Sequence, residues 1–357
     1  MNFIKFFEDR FLQKFSSLFK KQPKYILNLK YHSQYISFNE FKTNKIQILS
    51  NILDDFSKEK YYPDPLHPIL IPKSDGSFRL ICIPSIKDRL VQKIVLEYIK
   101  EHHTSKYRLA TDHDFSSKRE NGGAIQARIL ALELRNKHSH VLKTDISSFF
   151  FFFYRKLIKE NVCTQINIKE ITFILKKVVD MDIKIPSITS FDANEIKFLN
   201  SKKGTGIRQG MPMSSFLASL YLYDFDNFMS NSGIKYVRYA DDLIVFSQSY
   251  RNAKQILDLI KVELAKIGLT VPPLEEKTKT KIVNNRPIDF LGLDFVYTGK
   301  LFRSYIPNST FEKIATKLSN YDSLNKNLKN KKNFADVIQD INYINNGYQA
   351  AFSDACN

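Results

Sequence analysis

The chain has 357 residues, of which 43% are hydrophobic and 25% are charged, and this balance is typical of a globular protein with one large core or two to three subdomains. Lysine and arginine outnumber aspartate and glutamate by 54 to 37, so the formal net charge is +17. This excess favours a polyanionic partner, nucleic acid before an anionic membrane surface, over a merely soluble basic protein.

The cysteines and the apolar runs exclude several classes of protein. Cys82, Cys163 and Cys356 are far apart and have no metal-binding spacing, so we expect neither a disulfide framework nor a zinc site. The same scarcity predicts a reducing compartment, the cytoplasm. No apolar run approaches the roughly 18 residues that a membrane-spanning helix needs, so no membrane span is expected.

An amphipathic helix is predicted at the start of the chain. The apolar residues at helical spacing are Phe3, Phe6, Phe7, Phe11, Phe15, Leu18 and Phe19. Glu8 and Asp9 flank this stripe and no small-residue cleavage site follows, which argues against a secretory signal. A packed helix is favoured over a helix that binds a partner or a membrane surface.

A β-hairpin is predicted over residues 69–84, where two strand-like runs flank the turn Ser74–Ser77. Lys73 and Arg79 lie on opposite arms near its tip. Two cationic side chains in that position could close on a phosphate group. The alternative is an ordinary hairpin with solvated charges.

Mainly helical patterns follow the hairpin. A helix is predicted from Ser85 to about His102. Residues 105–123 are polar, with Gly122–Gly123 as a loop, and an amphipathic helix is predicted from about Ala124 to Arg135. Residues 155–200 are predicted to be helical. The glycine-rich segment Gly204–Ser215 leads into another helix, and its glycines would let the backbone pass close to a ligand.

Three aspartates fall at the ends of predicted strands. Asp145 ends the strand Val141–Ile146, and Asp241 and Asp242 lie at the tip of a second predicted hairpin. Adjacent carboxylates at a tight turn are costly unless a cation compensates them, and hard divalent cations such as Mg²⁺ prefer carboxylate oxygens. An Asp-Asp turn alone is more often just solvated, so the prediction of a metal site depends on Asp145 as the third carboxylate.

The last third of the chain is predicted to be more basic. After a helix over 252–267, Phe290–Phe295 is predicted to be one short strand with a bulge at Gly292. Residues 300–332 then hold eight lysines and arginines against two acidic residues. Ser309–Glu312 predicts a capping box that opens a helix. A final helix over about Phe334–Phe352 is expected to bury four residues: Phe334, Val337, Ile338 and Ile341.

In this order and spacing, the motifs resemble those of reverse transcriptases, most closely the bacterial retron and group II intron types. The hairpin Ile71–Pro84 is similar to their fingers motif, Asp145–Phe150 to the first palm motif, and Gln209–Ala218 to the second. Arg238–Asp242 matches the catalytic box. Two later segments resemble the lysine motif and the primer-grip motif: Gly268–Thr278 and Phe290–Gly292.

The resemblance implies an α+β, right-hand polymerase fold of fingers, palm and thumb, in which the palm is an antiparallel sheet backed by helices. We accordingly expect an N-terminal helical extension over 1–60 and fingers over 61–140. The palm is expected over 141–298, with 155–203 packing with the fingers. A basic helical thumb is expected over 299–357.

The resemblance also implies the chemistry of an RNA-directed DNA polymerase that makes cDNA by two-metal nucleotidyl transfer. Asp145 and Asp241 would hold two Mg²⁺ ions, or Mn²⁺ in their place, with Asp242 assisting and Ile146 as a further metal contact. Lys277 would be the general acid for pyrophosphate, although Lys279 and Lys281 are close enough to leave this assignment open.

Nucleotide and nucleic-acid contacts follow from the same resemblance. Lys73 and Arg79 would bind the incoming triphosphate, and Gln209 and Gly210 would shape the nucleotide pocket. Phe150 would exclude a 2′-hydroxyl and so select dNTPs, with a core aromatic as the alternative. The residues expected to contact nucleic acid are Gly292, Arg303, Lys313, Lys317, Lys326 and Lys329.

Departures from the family pattern indicate which subfamily, and so which biological role, to expect. Phe151 and Ser215 stand where relatives commonly have other residues, and no Val-Thr-Gly follows the lysine motif. After the expected thumb, we expect no room for the maturase and endonuclease parts of a group II intron protein. A stand-alone enzyme of bacterial antiphage defence is therefore favoured, with a structured non-coding RNA as template and an accessory defence protein as partner. The alternatives are a retron-like or diversity-generating enzyme, a non-templated or protein-primed polymerase, and an inactive polymerase fold that only binds.

Overall fold

The computed structural model describes residues 2–20, 36–73, 76–117, 122–185, 191–275, 279–323 and 333–356. The chain forms two compact units. The first unit comprises Met1–Asp112, Ser148–Asp224 and Lys266–Leu269. The second unit comprises His113–Ser147, Phe225–Ala265 and Thr270–Asn357.

Helices account for much of the described chain. The α-helices are α1 (Phe3–Lys20), α2 (Phe38–Ser57), α3 (Ile86–His102), α4 (Thr104–Thr111), α5 (Gly123–Lys137), α6 (Arg155–Asn161), α7 (Lys169–Val179), α8 (Ala193–Lys202), α9 (Ser214–Tyr221), α10 (Tyr223–Asn231), α11 (Tyr250–Lys266), α12 (Asn308–Leu318) and α13 (Phe334–Ala351). A π-helical turn, Val162–Ile166, follows α6, and a 3₁₀ turn, Ser319–Tyr321, follows α12. Among these helices, none combines the length and apolarity that crossing a bilayer requires.

The strands form three antiparallel sheets. The strands are β1 (His67–Pro72), β2 (Phe78–Ile83), β3 (His140–Asp145), β4 (Lys235–Tyr239), β5 (Asp242–Ser247), β6 (Lys281–Asn284), β7 (Ile288–Phe290), β8 (Leu293–Tyr297) and β9 (Phe302–Tyr305). β1 and β2 form a hairpin, β4-β5-β3-β6 form the central sheet, and β7-β8-β9 form the small sheet.

In the first unit, α1 is a packed helix, as its phenylalanine spacing predicts. Phe3, Phe7 and Phe11 are each at most 1% exposed, and the ring of Phe15 stacks on Phe41 of α2 with centroids 4.9 Å apart. Complete burial of such a side chain is worth about 1.5–3 kcal/mol. The interpretation of α1 as a packed helix is therefore confirmed.

The predicted hairpin is also confirmed, and a helix follows α3 in a segment for which the sequence predicted no element. β1 pairs with β2 so that Ile71 faces Arg79, although the turn residues 74–75 lie outside the described part of the chain. Residues Thr104–Thr111, which the sequence marked only as polar from 105 onward, form α4. The short polar segment has little helical periodicity of its own, and the ring of Tyr107 stacks on Phe216 of α9, a contact that the local sequence does not show.

In the second unit, the central sheet packs on α5. Ala127 and Ala131 of α5 are fully buried in one cluster with Val141 of β3 and Ile244 of β5. Alanine side chains allow a helix to lie close to a sheet, and the β-branched residues suit the pleated surface. The predicted antiparallel sheet backed by helices is confirmed here.

The small sheet corrects the expectation of one bulged strand over Phe290–Phe295. Leu291 and Gly292 have φ values of +48° and +85°, and they form a two-residue turn between β7 and β8. Positive φ at both central residues is the geometry of a type I′ hairpin, which fits the twist of paired strands. The glycine therefore marks a chain reversal. The region expected to be a helical thumb also begins with a strand, β9.

Two expectations about the C-terminal helices are wrong. α12 begins at Asn308 with Pro307 at the N-cap position and no side-chain cap, so Ser309 lies inside the helix and cannot open a capping box. The described part of α13 has no buried residue, and Phe334 is 82% exposed. An amphipathic pattern predicts which face of a helix is apolar, but it does not show that another element covers that face.

Candidate functional site

The pairing of β3 with β5 brings the predicted carboxylates together. Asp145 ends β3 and lies opposite Asp242, the first residue of β5. The turn before β5 places Asp241 beside them, and its carbonyl accepts a hydrogen bond of 2.9 Å from the N–H of Ile146. Ile146, named as a metal contact, is thus joined to the turn through its backbone. We call Asp145, Asp241 and Asp242 the acidic cluster.

The acidic cluster raises the pKa of one of its members. Burial, then the neighbouring Asp145 and Asp241, raise the pKa of Asp242 to about 7, against the lowering effect of Lys143. Burial in low dielectric and like charges both disfavour the ionised carboxylate. The site therefore holds more negative charge than its own surroundings stabilise.

Lys279 supplies part of the missing positive charge. Its Nζ donates a hydrogen bond to Oδ2 of Asp145, and this bond raises the pKa of Lys279 above its ordinary value. The Lys279 side chain is 73% exposed, so solvent reaches it freely. Lys279 was one of the two alternatives to Lys277 in the sequence; Lys277 itself lies outside the described residues.

The donor set of the cluster fits a hard divalent cation. Carboxylate and carbonyl oxygens are the ligands that Mg²⁺ and Mn²⁺ prefer. Within the described ranges, no three histidine, cysteine or acidic side chains are already arranged around a common metal position. The ammonium group of Lys279 instead lies on Asp145, where a cation would bind. The oxygen ligands of the acidic cluster therefore fit Mg²⁺ or Mn²⁺, and the Lys279 ammonium occupies the same carboxylate, Asp145, that would bind the ion.

A second charge cluster lies between the central sheet and the small sheet. Oδ2 of Asp289 accepts a hydrogen bond from Lys143, and Oδ1 accepts one of 2.6 Å from Lys281. Burial raises the pKa of Asp289, but these two hydrogen bonds outweigh it and bring that pKa to about 2. Lys281 is therefore engaged with Asp289. The sequence did not predict Lys143 as a site residue. The available signal was its position two residues before Asp145 in one strand, which puts both side chains on the same face of the sheet.

The residues predicted to bind a nucleotide lie in the first unit. Lys73 and Arg79 are exposed on opposite arms of the hairpin. The N–H of Cys82 in β2 donates to the carbonyl of Gln209 over 2.7 Å, and a Cβ at Gly210 would lie only 2.7 Å from the carbonyl oxygen of Cys82. The glycine thus permits the close approach predicted for this segment.

Phe150 is joined to the same glycine-rich segment. Its carbonyl accepts a hydrogen bond of 3.0 Å from the N–H of Ile207, and a Cβ at Gly206 would lie 2.2 Å from that carbonyl oxygen. The Phe150 ring is half-buried, 5.0 Å from the ring of Phe149. Part of the ring is therefore available to a ligand, and part belongs to the aromatic packing.

Asp182, which the sequence did not predict as a functional residue, holds the glycine-rich segment in place. Its carboxylate accepts hydrogen bonds from the N–H of Gly204 at 2.6 Å, from Arg208 at 2.5 Å and from Arg155 at 3.1 Å. Burial raises the pKa of Asp182, but the donors, led by Gly204, lower it below its ordinary value. Asp182 lies in a stretch without a chemical motif, so nothing in the sequence marked it.

The residues predicted to contact nucleic acid lie at the end of the second unit. Arg303, Lys313 and Lys317 are exposed, and the Lys317 ammonium lies 5.0 Å from the ring centroid of Tyr348. Gly292 is in the β7–β8 turn, next to the ring of Phe352. Two further residues of this set, Lys326 and Lys329, lie outside the described part of the chain.

Comparisons with known proteins give one family and several distant relatives. The family described as "Reverse transcriptase (RNA-dependent DNA polymerase)" matches residues 71–295, more than half of the chain. Protein YkfC of Escherichia coli (strain K12) is 26% identical over 192 residues, 52% of this chain and 45% of that protein. An uncharacterized 91 kDa protein in cob intron of Schizosaccharomyces pombe (strain 972) is 22% identical over 314 residues, 71% of this chain and 37% of that protein. The chain spans less than half the length of these curated relatives.

Solved structures of telomerase from Candida tropicalis show a weaker likeness. The structure in complex with the TWJ fragment of telomeric RNA has a TM-score of 0.45 at 16% identity, with 89% of this chain and 58% of that chain covered. An apo structure has a TM-score of 0.43 at 15% identity, with 71% and 51% covered. Both TM-scores are below 0.5, so family membership rests on the sequence match.

Proposed function

Because the chain belongs to the reverse transcriptase (RNA-dependent DNA polymerase) family, we propose that it copies an RNA template into DNA by two-metal nucleotidyl transfer. The observation that carries this proposal is the acidic cluster: within the matched range, Asp145 and Asp242 face each other on paired strands, and the carbonyl of Asp241 accepts a hydrogen bond from the N–H of Ile146. The right-hand polymerase fold expected from the motifs is the fold of this family, and the family prediction itself is confirmed.

The acidic cluster is the proposed metal centre. Asp145 and Asp241 would hold the divalent ions, Mg²⁺ or Mn²⁺, with Asp242 and the carbonyl of Ile146 as further oxygen ligands. Bound there, such ions lower the pKa of a primer 3′-hydroxyl and neutralise charge on the triphosphate and the leaving group. The raised pKa of Asp242 supports this assignment, because the cluster requires compensating positive charge.

The lysines near the cluster have separate proposed roles. Lys279, whose exposed ammonium lies on Asp145 in this structure, would be available to protonate departing pyrophosphate if a metal ion took its place on that carboxylate. Lys277 remains the other candidate for that proton transfer. Lys281 and Lys143 hold Asp289 and thereby join the central sheet to the small sheet.

Substrate binding is assigned to residues of both units. Lys73 and Arg79 would bind the triphosphate by charge-assisted hydrogen bonds, and Gln209, Gly210 and Phe150 would form the walls of the dNTP pocket. Support for the pocket comes from the contacts that join Gln209 to β2 and Phe150 to Ile207. The exposed cations at the C-terminal end, with Lys326 and Lys329, would hold the duplex backbone without reading its sequence.

A primer-extension assay tests the polymerase proposal. Purified full-length chain is incubated with Mg²⁺, dNTPs and a primed RNA, and the expected product is DNA complementary to the template. Asp241→Asn should reduce extension by at least about a thousandfold, because an amide is a much weaker metal ligand than a carboxylate. Asp258→Asn, which alters an exposed carboxylate on α11, is the matched control and should extend normally.

The products also distinguish the alternative reactions. A sequence unrelated to the template indicates non-templated synthesis, and DNA that stays on denatured protein indicates priming from a side chain. No product from primed RNA with either metal ion, together with an Asp241→Asn variant that behaves as wild type in the cell, contradicts the enzyme proposal and favours an inactive polymerase fold that only binds nucleic acid.

For the biological role we propose antiphage defence with a structured non-coding RNA as template, in the cytoplasm. Support comes from the absence of the Val-Thr-Gly triplet that retron enzymes carry after the lysine motif. Bacterial cells that carry the wild-type gene in its native locus should plate phage less efficiently than cells with Asp241→Asn. Equal plating would contradict the defence role and leave the polymerase proposal intact.

Sequencing of the RNA and DNA that co-purify with the protein from its host identifies the template.

A further inference from the structure

The turn that leads from β4 into β5 and contains Asp241 of the acidic cluster is strained at Ala240. Tyr239 and Asp242 pair across the β4–β5 hairpin, so Ala240 and Asp241 form a two-residue loop. Ala240 has φ +54°, in the left-handed region. For a residue with a Cβ this conformation costs roughly 1–2 kcal/mol, and glycine usually occupies such a position in hairpin loops. Something outside the turn must therefore hold it in this shape.

Two side chains hold the backbone of Ala240 from both sides. Its N–H donates a hydrogen bond of 3.1 Å to Oδ1 of Asp114, which lies 126 residues earlier in the chain. Its carbonyl accepts a hydrogen bond of 3.1 Å from Nη1 of Arg238. The N–H and C=O of the strained residue are thus both fixed by side chains.

These two side chains belong to one buried ionic network. Nη1 of Arg238 lies 3.2 Å from Oδ2 of Asp114. Nε of Arg238 donates to Oδ1 of Asp226 over 2.9 Å, and Nη2 donates to Oδ2 of the same carboxylate. Arg238 is fully buried and the two acidic side chains are at most 3% exposed. Burial lowers the pKa of Arg238, but the two carboxylates more than offset this and hold it above its ordinary value. The guanidinium therefore stays charged.

The Asp114 carboxylate is itself held by hydrogen bonds from residues that follow it directly in the chain. Oδ1 accepts a hydrogen bond of 2.9 Å from the N–H of Ser116, and Oδ2 accepts one of 3.2 Å from the hydroxyl of Ser117. The N–H of Phe115 donates to the carbonyl of Arg238 over 3.1 Å. These contacts fix the position of the Asp114 carboxylate. Because that carboxylate accepts the hydrogen bond from the Ala240 N–H, the network also fixes the backbone of Ala240.

We propose that Asp114 and Arg238 are positioning residues that hold the Ala240 turn and thereby set the carboxylates of Asp241 and Asp242 for metal binding. The inference rests on the proposed function of the acidic cluster. Buried ion networks that only stabilise a sheet have no need to contact the strained residue of a loop. In this network the carboxylate of Asp114 and the guanidinium of Arg238 both contact that residue.

The test measures metal affinity directly, without requiring turnover. Mn²⁺ binding to the full chain is followed by electron paramagnetic resonance for wild type, Asp114→Ala, Asp114→Asn and Arg238→Lys. We expect Asp114→Ala to weaken Mn²⁺ binding about tenfold or more, the usual effect of removing a partner that orients metal ligands. Asp114→Asn retains an acceptor oxygen for the Ala240 N–H and should lose less. In primer extension, kcat should fall while KM for dNTP stays within about twofold.

Arg135→Lys is the matched control for loss of a buried arginine. Arg135 lies in the same unit, is 1% exposed, and donates to the carbonyls of His138 and Ser139 at the opposite end of β3 from Asp145. This variant should lower the melting temperature without changing Mn²⁺ affinity. Such a contrast separates positioning of the turn from a general loss of stability.

The outcomes distinguish this inference from the proposed function. Folded Asp114→Ala and Arg238→Lys variants that bind Mn²⁺ as tightly as wild type would overturn the positioning role. If Asp114→Ala does not fold, the isosteric Asp114→Asn and the charge-conserving Arg238→Lys decide by the same measurement. A wild type that binds Mn²⁺ but extends no primer contradicts the polymerase proposal alone, and weakened Mn²⁺ binding in the variants would still support positioning.

Discussion

At the scale of single residues, neighbours distant in sequence decide the chemistry of the candidate site. Asp242 has a pKa of about 7 because of burial and because Asp145, almost a hundred residues earlier, lies opposite it. Asp145 in turn meets the ammonium of Lys279. On an isolated, solvated turn the Asp242 carboxyl would lack the burial and the facing Asp145 that raise its pKa. Their chemistry depends on the sheet that pairs them.

Phe150 carries the residue-scale prediction about sugar selection. Phe150→Ala should raise ribonucleotide incorporation relative to deoxynucleotide by about tenfold or more, because removal of a ring opens space for a 2′-hydroxyl. The measurement compares kcat/KM for rNTP and dNTP on one primed RNA. Phe152→Ala, in the same aromatic run but with Phe152 52% exposed, is the control and should leave the ratio unchanged. Unchanged selectivity in Phe150→Ala would assign Phe150 to aromatic packing alone.

At the scale of elements, the glycine-rich segment shows how backbone contacts place a loop. Gly204 and Gly206 both have positive φ, +75° and +62°, but their surroundings differ. A Cβ at Gly204 would meet nothing within 4 Å, whereas a Cβ at Gly206 would lie 2.2 Å from the carbonyl oxygen of Phe150. The first glycine is needed for conformation only, and the second also for space.

Replacing each glycine by alanine should separate these two effects. Gly204→Ala should cost about 1 kcal/mol of unfolding free energy, the penalty of a left-handed alanine. Gly206→Ala should cost about 3 kcal/mol or more, because backbone atoms of residues 150–151 must also move. Urea unfolding followed by circular dichroism measures both. Equal losses in the two variants would show that the close approach of Gly206 to Phe150 is unimportant.

At the scale of the whole molecule, the charge of +17 is the property most directly tied to a nucleic-acid partner. Among the described residues, Lys313 and Lys317 of α12 are exposed cations in the region where basic residues are concentrated. Cations that contact phosphates release counterions, so each such contact makes binding more dependent on salt. The salt dependence of binding therefore reports how many of them touch the backbone.

Replacing both Lys313 and Lys317 by alanine should make binding of a primed RNA less dependent on salt. The slope of log K against log salt should become shallower by about 1.5–2, which corresponds to two lost phosphate contacts. Titrations at several salt concentrations measure it. Lys137→Ala removes an exposed lysine paired with Glu133 and should leave the slope unchanged. An unaltered slope in the double variant would place the duplex elsewhere on the molecule.

The sequence by itself determined those elements whose local pattern is strong, and it singled out the three aspartates of the acidic cluster. Residues with a strong local pattern formed the predicted structures: the phenylalanine stripe of α1, the hairpin around Lys73 and Arg79, and the turn at Asp241. Local patterns succeed here because hydrophobic periodicity and turn chemistry act over a few neighbouring residues. Ser309 failed as a cap because the helix begins one residue before it.

Only the tertiary structure decided which distant groups meet. Asp114 and Arg238 hold Ala240, Asp182 anchors Gly204, and Lys279 contacts Asp145; apart from the adjacent Arg238, no short-range pattern links these partners. It also decided that Phe334 of α13 stays exposed, since an apolar face becomes buried only where another element covers it. Sequence spacing specifies local geometry, whereas burial and charge pairing depend on long-range contacts that form when the chain folds.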